Sequence, residues 1–218
     1  MTGSGEAWRP RFIVIEGPIG VGKSTLARRL AQTYKSDLVL QSPEQNPFLA
    51  QFYSDPARYA LSSQLSFLFQ HVEQIKGISQ SDLFRPVHVA DYMLPVDRLY
   101  AQVNLGADEL RLYDLIYHQL VHSLPRPDLV IYLQAPPAVL INRINRRGIN
   151  YERNITADYL ERLSTAYVEF FHQYAESPLL IVNAAKIDLA SNDADYELLI
   201  EHIGRGLSGR HYFNPTGR

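Results

Sequence analysis

Gly17-Pro18-Ile19-Gly20-Val21-Gly22-Lys23-Ser24 follows the apolar run Phe12-Ile13-Val14-Ile15, and after it Leu26, Leu30 and Tyr34 recur at helical spacing. The octapeptide fits G-x-x-x-x-G-K-[ST] without a mismatch, and a strand before it with a helix after it is the context that gives the pattern meaning. Glycines let the main chain curl with its N–H groups pointing inward. The helix that follows aims the positive end of its dipole at the same point. Such a loop cradles nucleotide phosphates, here from Gly17 to Ser24 with Thr25 beside them. Lys23 is expected to reach the β- and γ-phosphates of ATP, and the Ser24 hydroxyl to ligate Mg²⁺.

Working outward, further short apolar runs lie at Leu38–Leu40, Val87–Ala90, Leu129–Leu133 and Leu179–Val182. They lack the alternation of a half-exposed strand and read as buried parallel strands. Helical spacing recurs at Leu110, Tyr113, Tyr117, Leu120 and Leu124, and Asp55-Pro56 opens a long helix towards Lys76. Strand alternating with helix predicts an α/β fold of the P-loop NTPase type: three layers, a parallel sheet of about five strands, and helices on both faces. Right-handed crossovers then bring the loops after each strand to one edge of the sheet. The chain reads as a single domain over residues 1–218, with flexible ends at about 1–9 and 205–218.

Composition removes several classes of function. A formal net charge of -2 over 218 residues argues against a protein that binds nucleic acid by neutralising phosphates. With no cysteine, disulfides, thiolate zinc sites and a catalytic thiol are excluded. Neither a secretory signal nor an apolar run of membrane-spanning length is evident, so the expected location is the cytoplasm and no membrane partner is expected.

Other residues must say what is done with the nucleotide. Glu44 lies just past the second strand, where a carboxylate faces the γ-phosphate and can accept a proton from an attacking hydroxyl. Asp91 ends the third strand, the usual place for a carboxylate that helps hold Mg²⁺. His88, inside that strand, reads as a core histidine. Arg143, Arg146 and Arg147 precede Gly148 at the end of a helical stretch; they can close over phosphates as a lid at about 143–155, or simply complement the helix dipole. His118 and His122 share a helix face, but no third ligand is apparent.

A kinase whose acceptor already carries a phosphate needs cations to hold it. Between Glu44 and Asp82 the only lysines and arginines are Arg58 and Lys76, whereas Phe48, Phe52, Tyr53, Tyr59, Phe67, Phe69 and Gln64 are all present. Aromatic walls and an amide suit an uncharged base and sugar, although about half of these rings belong to the core on general grounds.

These residues resemble the deoxynucleoside kinase family, most of all its bacterial deoxyadenosine and deoxyguanosine kinases. The resemblance rests on Ile15 to Ser24, Pro43-Glu44, Tyr53, Gln64, Asp97-Arg98, Arg147-Gly148 and Glu152, and runs from about Phe12 to about Asp188. It implies that Glu44 takes the proton of the 5′-hydroxyl and that Tyr53 and Glu152 hold the sugar 3′-hydroxyl. Gln64 would pair with the base, with Asp97 nearby. Asp91 would match the acidic residue of a D/E-R-S motif beside the metal, Arg143 and Arg147 the lid arginines, and Val182-Asn183 a turn against the adenine of ATP. Two departures stand out. Tyr92 and Met93 replace the motif's arginine and serine, so that Arg98 becomes a candidate for the missing cation, and Ile149 replaces a further lid arginine. The resemblance also implies a homodimer.

The expected reaction is transfer of the γ-phosphoryl of Mg·ATP to the 5′-hydroxyl of a deoxynucleoside, in nucleotide salvage. A purine is preferred, since Gln64 can pair bidentately with adenine, though an amide can also turn to suit cytosine. The rivals are a nucleoside monophosphate kinase such as a thymidylate kinase, against which the cation shortage speaks, and a non-catalytic nucleotide switch, whose N-K-x-D motif Asn183-Ala184-Ala185-Lys186 does not match.

Overall fold

Phe12–Glu16 forms β1, and every residue of it is buried. Its side chains divide by parity: Ile13 and Ile15 enter one apolar cluster, Phe12 and Val14 another on the opposite face. A strand covered on both faces needs apolar residues at consecutive positions, which is why no alternation is visible. The computed structural model of the protein describes residues 8, 10–80, 88–121, 125–187, 189 and 191–214. Val87, the far end of the cation-poor stretch at Asp82, His122, Leu124 and Asp188 lie outside the described residues.

The remaining strands are β2 (Asp37–Val39), β3 (His88–Ala90), β4 (Leu129–Gln134), β5 (Leu179–Asn183) and β6 (Arg210–Phe213). They form one sheet in the order β2-β3-β1-β4-β5-β6, with every neighbouring pair parallel. The helices are α1 (Lys23–Tyr34), α2 (Leu49–Ser54), α3 (Pro56–Gln80), α4 (Leu94–Asn104), α5 (Ala107–Leu120), α6 (Pro137–Arg147), α7 (Ala157–Gln173) and α8 (Asp193–Gly204). Leu30 of α1, Leu140 and Ile144 of α6 and Leu199 of α8 cover the Ile13 face. Val96 and Leu99 of α4, with Leu163, Tyr167 and Phe171 of α7, cover the Phe12 face. Outside α4, side chains of α3 and α5 close a third cluster around Leu68, Val72, Tyr113 and Tyr117.

Two expectations change. Among the described residues the sheet has six strands rather than about five, because the segment after Gly204, whose composition suggests a frayed tail, supplies β6. That strand sits at the edge beside β5 and buries only Phe213 fully, so no apolar run announces it. At the other edge β2 is exposed at Asp37 and Leu38, not buried throughout.

Order in the sheet positions the site. From β1 the chain crosses to β2 and β3 on one side and afterwards to β4 on the other. Where parallel connections diverge in this way, the loops at the carboxyl ends of the strands part and leave a crevice. Gly17, Gln41, Asp91, Ala135 and Ala184 all follow strand ends on that edge.

Candidate active site

A cavity of about 1040 Å³ opens in this crevice, and Ile19 to Thr25 form part of its wall. Gly17 has φ 146°, and a Cβ there would lie 2.4 Å from the carbonyl oxygen of Leu133 in β4. Only glycine lets the loop pass so close to the sheet. Gly22 meets nothing within 4 Å, but its φ of 108° is one that side chains rarely adopt. It is also the N-cap of α1, whose first turn carries no acidic residue to compete with an anion for the helix dipole.

Lys23 folds back along the loop and donates from Nζ to the Gly17 carbonyl at 2.7 Å. Burial pulls its pKa down, while Glu16 and Asp91 oppose that pull. Ser24 Oγ donates to Asp91 Oδ2 at 2.5 Å, and the other Asp91 oxygen accepts the Gln41 main-chain N–H at 2.7 Å. A hydroxyl and a carboxylate in contact are hard oxygen donors of the kind Mg²⁺ takes when phosphate oxygens complete its shell.

Glu16, which immediately precedes the glycine-rich loop, ties these parts together. Its carboxylate accepts from the Met93 N–H at 2.8 Å, the Tyr167 hydroxyl at 3.1 Å and the Gly17 N–H at 3.2 Å. One side chain thereby fixes the phosphate loop to the segment that carries Asp91 and to the start of α4, whose N-cap Met93 makes no side-chain cap of its own. Complete burial raises its pKa despite Lys23 and these donors. In the sequence it is the acid that closes an apolar strand, inside the segment that carries the resemblance, with no role of its own assigned.

Glu44 stands on the cavity wall in a 3₁₀ turn, Pro43–Gln45. The flanking prolines stiffen that turn, and α3 anchors it: Gln70 donates to Ser42 O at 3.3 Å, and Asn46 donates to Ser63 O at 3.0 Å. Tyr53 also lines the cavity, stacked on Tyr151 with centroids 6.2 Å apart and planes at 4°. Phe52 and Phe67 share the wall, whereas Phe48 and Phe69 are exposed and Tyr59 packs against the core. Tyr100 of α4 lines it too and had no signal of its own.

Gln64 and Asp97 both reach the cavity although almost wholly buried. Asp97 is held by His71, whose Nδ1–H lies 2.8 and 2.9 Å from its two oxygens. The imidazole is fully buried and stacks on Tyr92 at 3.9 Å between centroids. Removing one member of such a pair leaves a charge without its partner. His71→Ala is expected to lower the unfolding free energy by about 3 kcal/mol in urea denaturation, and Asp97→Asn, which keeps an acceptor, by about 1 kcal/mol.

Arg98 is a correction. It does not reach the cavity; it forms a two-pronged pair with Asp114 of α5 at 2.8 and 3.0 Å, because its position on α4 faces the outer helix. Tyr92 does not replace the missing arginine either, since its hydroxyl donates to Gln74 at 2.7 Å. Asn183 is displaced from its expected role as well. Its side chain accepts from the Ala185 N–H within the turn, and the wall is made by Ala184 to Ile187. Arg143 bridges the glycine-rich loop and the turn after β5, donating to Val21 O at 3.0 Å and Ala184 O at 2.7 Å. Arg147 ends α6 and pairs with Glu152, and both face the cavity with Ile149 between them. His118 is exposed on α5, away from this wall.

Charge divides the cavity. Lys23, Arg28, Arg143, Arg146, Arg147 and Lys186 supply its cations. None comes from the described part of the cation-poor stretch: Lys76 pairs with Glu73, and Arg58 lies over Tyr59. Elsewhere the wall presents Glu44, Asp97 and Glu152 together with aromatic rings.

The chain is similar to known proteins along most of its length. The family model described as deoxynucleoside kinase matches residues 13–207. The chain is 33% identical over 198 residues to a deoxyguanosine kinase of Bacillus subtilis (strain 168), covering 88% of this chain and 95% of that protein. Identity to a deoxyguanosine kinase of Lactobacillus acidophilus is 31% over 205 residues, with 88% of each chain covered. Among solved structures, the deoxyadenosine kinase of M. mycoides with dCMP and dCDP bound superposes with a TM-score of 0.77 at 26% identity, over 88% of this chain and 98% of that one.

Proposed function

This chain belongs to the deoxynucleoside kinase family and is an ATP-dependent phosphotransferase, and from that premise we propose that its cavity aligns the γ-phosphorus of Mg·ATP with the 5′-hydroxyl of a purine deoxynucleoside. The observation that carries this reading is the divided wall: main-chain amides and cations on the donor side, carboxylates, an amide and rings on the acceptor side. An acceptor bearing its own phosphate would meet Glu44 and Asp97 with no cation from α2 or α3 to hold it.

In this reading the chain folds as a P-loop NTPase-type three-layer domain, and the sheet continuous from β1 to β6 supports one domain over 1–218. The loop from Gly17 to Thr25 holds the triphosphate, and Lys23 leaves the Gly17 carbonyl for the β- and γ-oxygens. Ser24 and Asp91 would hold Mg²⁺, which supplies charge neutralisation on the transferring group. Glu44 accepts the proton of the attacking 5′-hydroxyl, Tyr53 and Glu152 orient the 3′-hydroxyl, and Gln64 and Asp97 read the base. Arg143 keeps the phosphate loop against the turn at Ala184. Arg147 comes from the lid at 143–155.

A second copy of the chain is proposed to cover Phe69, Leu112 and Leu115, which are exposed on the adjoining helices α3 and α5. The cytoplasm remains the proposed location; among the described residues no helix is long and apolar enough to cross a membrane.

The test is coupled ADP release with each of the four deoxynucleosides and their 5′-monophosphates. Turnover is expected with deoxyguanosine or deoxyadenosine and not with any monophosphate. Preferential turnover of dTMP or another monophosphate would overturn the reading.

A further inference from the structure

Arg147 belongs to the lid that closes over phosphates in this reading and Glu152 to the acceptor sugar, yet in the structure each holds the other. Arg147 Nη2 donates to Glu152 Oε1 at 2.6 Å and Nε to Oε2 at 3.0 Å, so both carboxylate oxygens are engaged. Glu152 is only 8% exposed while Arg147 is 45% exposed. The guanidinium lines the same cavity as Lys23 and the loop from Ile19 to Thr25. Glu152 lines the cavity beside Tyr53 and Tyr151, whose rings stack on each other. Gly148, with φ 71°, ends α6 between Arg147 and Glu152 and lets the chain turn sharply into the Asn150–Asn154 segment.

Resting on the kinase reading above, we infer that the Arg147–Glu152 pair couples the two substrates: donor phosphate takes the arginine, the acceptor sugar takes the carboxylate, and each exchange makes the other easier. If phosphate alone draws Arg147 away, it leaves a buried carboxylate without a donor, which is costly. If the sugar hydroxyl alone approaches Glu152, it competes with a guanidinium that occupies both oxygens. With both present, every member has a new partner. Coupling of this kind is reciprocal, so each substrate raises the affinity of the other by the same factor.

Calorimetric titration of whichever of deoxyguanosine and deoxyadenosine is turned over, with and without saturating Mg²⁺ and β,γ-imido-ATP, measures that factor. Wild-type protein is expected to bind the nucleoside about tenfold more tightly with the ATP analogue present, within the usual range of coupling between sites. In Glu152→Gln and in Arg147→Gln the ratio falls to near one. In Glu152→Gln the analogue alone binds roughly fivefold more tightly than in wild type, because Arg147 no longer has to be released from a carboxylate. A pair that merely braced the lid would lower the melting temperature on substitution and leave the ratio unchanged. A wild-type ratio near one, or an unchanged ratio in both variants, overturns the inference while the kinase reading stands. Absence of nucleoside binding and turnover in wild type removes that reading, and this inference with it. Arg147→Gln changes a half-exposed side chain, so it serves if Glu152→Gln does not fold.

Discussion

Glu44→Gln is expected to lower kcat about 10³-fold while the dissociation constant for Mg·ATP stays within a factor of about two. The carboxylate is exposed on the wall of the cavity that the phosphate loop also lines, and its turn is fastened to α3 through Asn46 and Gln70. The amide keeps the shape and one acceptor oxygen but cannot take up the proton of the attacking hydroxyl. Phosphoryl transfer asks little covalent chemistry of a protein, so what remains after the substitution is the contribution of alignment and charge neutralisation. Steady-state ADP release gives kcat, and titration with the ATP analogue gives affinity. Unimpaired turnover would remove Glu44 from the mechanism; loss of ATP binding would move it to the donor side.

Lys23→Met is expected to cost a similar factor in kcat/KM, again about 10³-fold, for a different reason. The amine sits at the inner end of the phosphate loop, where a cation faces developing charge in a site of low dielectric. In the structure it spends one hydrogen bond on the Gly17 carbonyl at 2.7 Å, an interaction that moving a few ångströms toward a phosphate exchanges for a charge-assisted one. Methionine matches its length and tolerates burial. Glu16, deprived of its nearest cation, takes up a proton instead, since burial already raises its pKa. The melting temperature should therefore shift by no more than about 5 °C while activity collapses. A large loss of stability with proportionate loss of activity would make Lys23 a structural cation.

The residues that were legible in advance share a property: their meaning is local. The phosphate loop needs glycines and a lysine at fixed separations, and the dihedral angles that Gly17, Gly20 and Gly22 adopt are encoded by those residues themselves. Buried strands declare themselves by consecutive apolar residues, as Phe12–Ile15 and Leu129–Leu133 do, because covering both faces leaves no polar position. Where one face is wet the signal fails. β6 carries no apolar run for that reason, and β2 is less buried than its apolar residues suggest. Helix α6 and its stop were legible from Arg143-Arg147-Gly148, but spacing could not tell a phosphate lid from a dipole cap.

The linear order of residues determined the α/β architecture, the glycine-rich loop from Gly17 to Ser24, the carboxylates Glu44 and Asp91 after strands, and the poverty of cations between Glu44 and Asp82, since each depends on spacing or composition within a short stretch. Only the tertiary structure decided which charges meet. Arg98 turns out to Asp114, Tyr92 stacks on His71 behind Asp97, Glu16 joins Gly17, Met93 and Tyr167, and Arg147 closes on Glu152. A charge takes its partner from whatever element packs against it, and the residues that meet at Glu16 are as much as 151 positions apart in the chain.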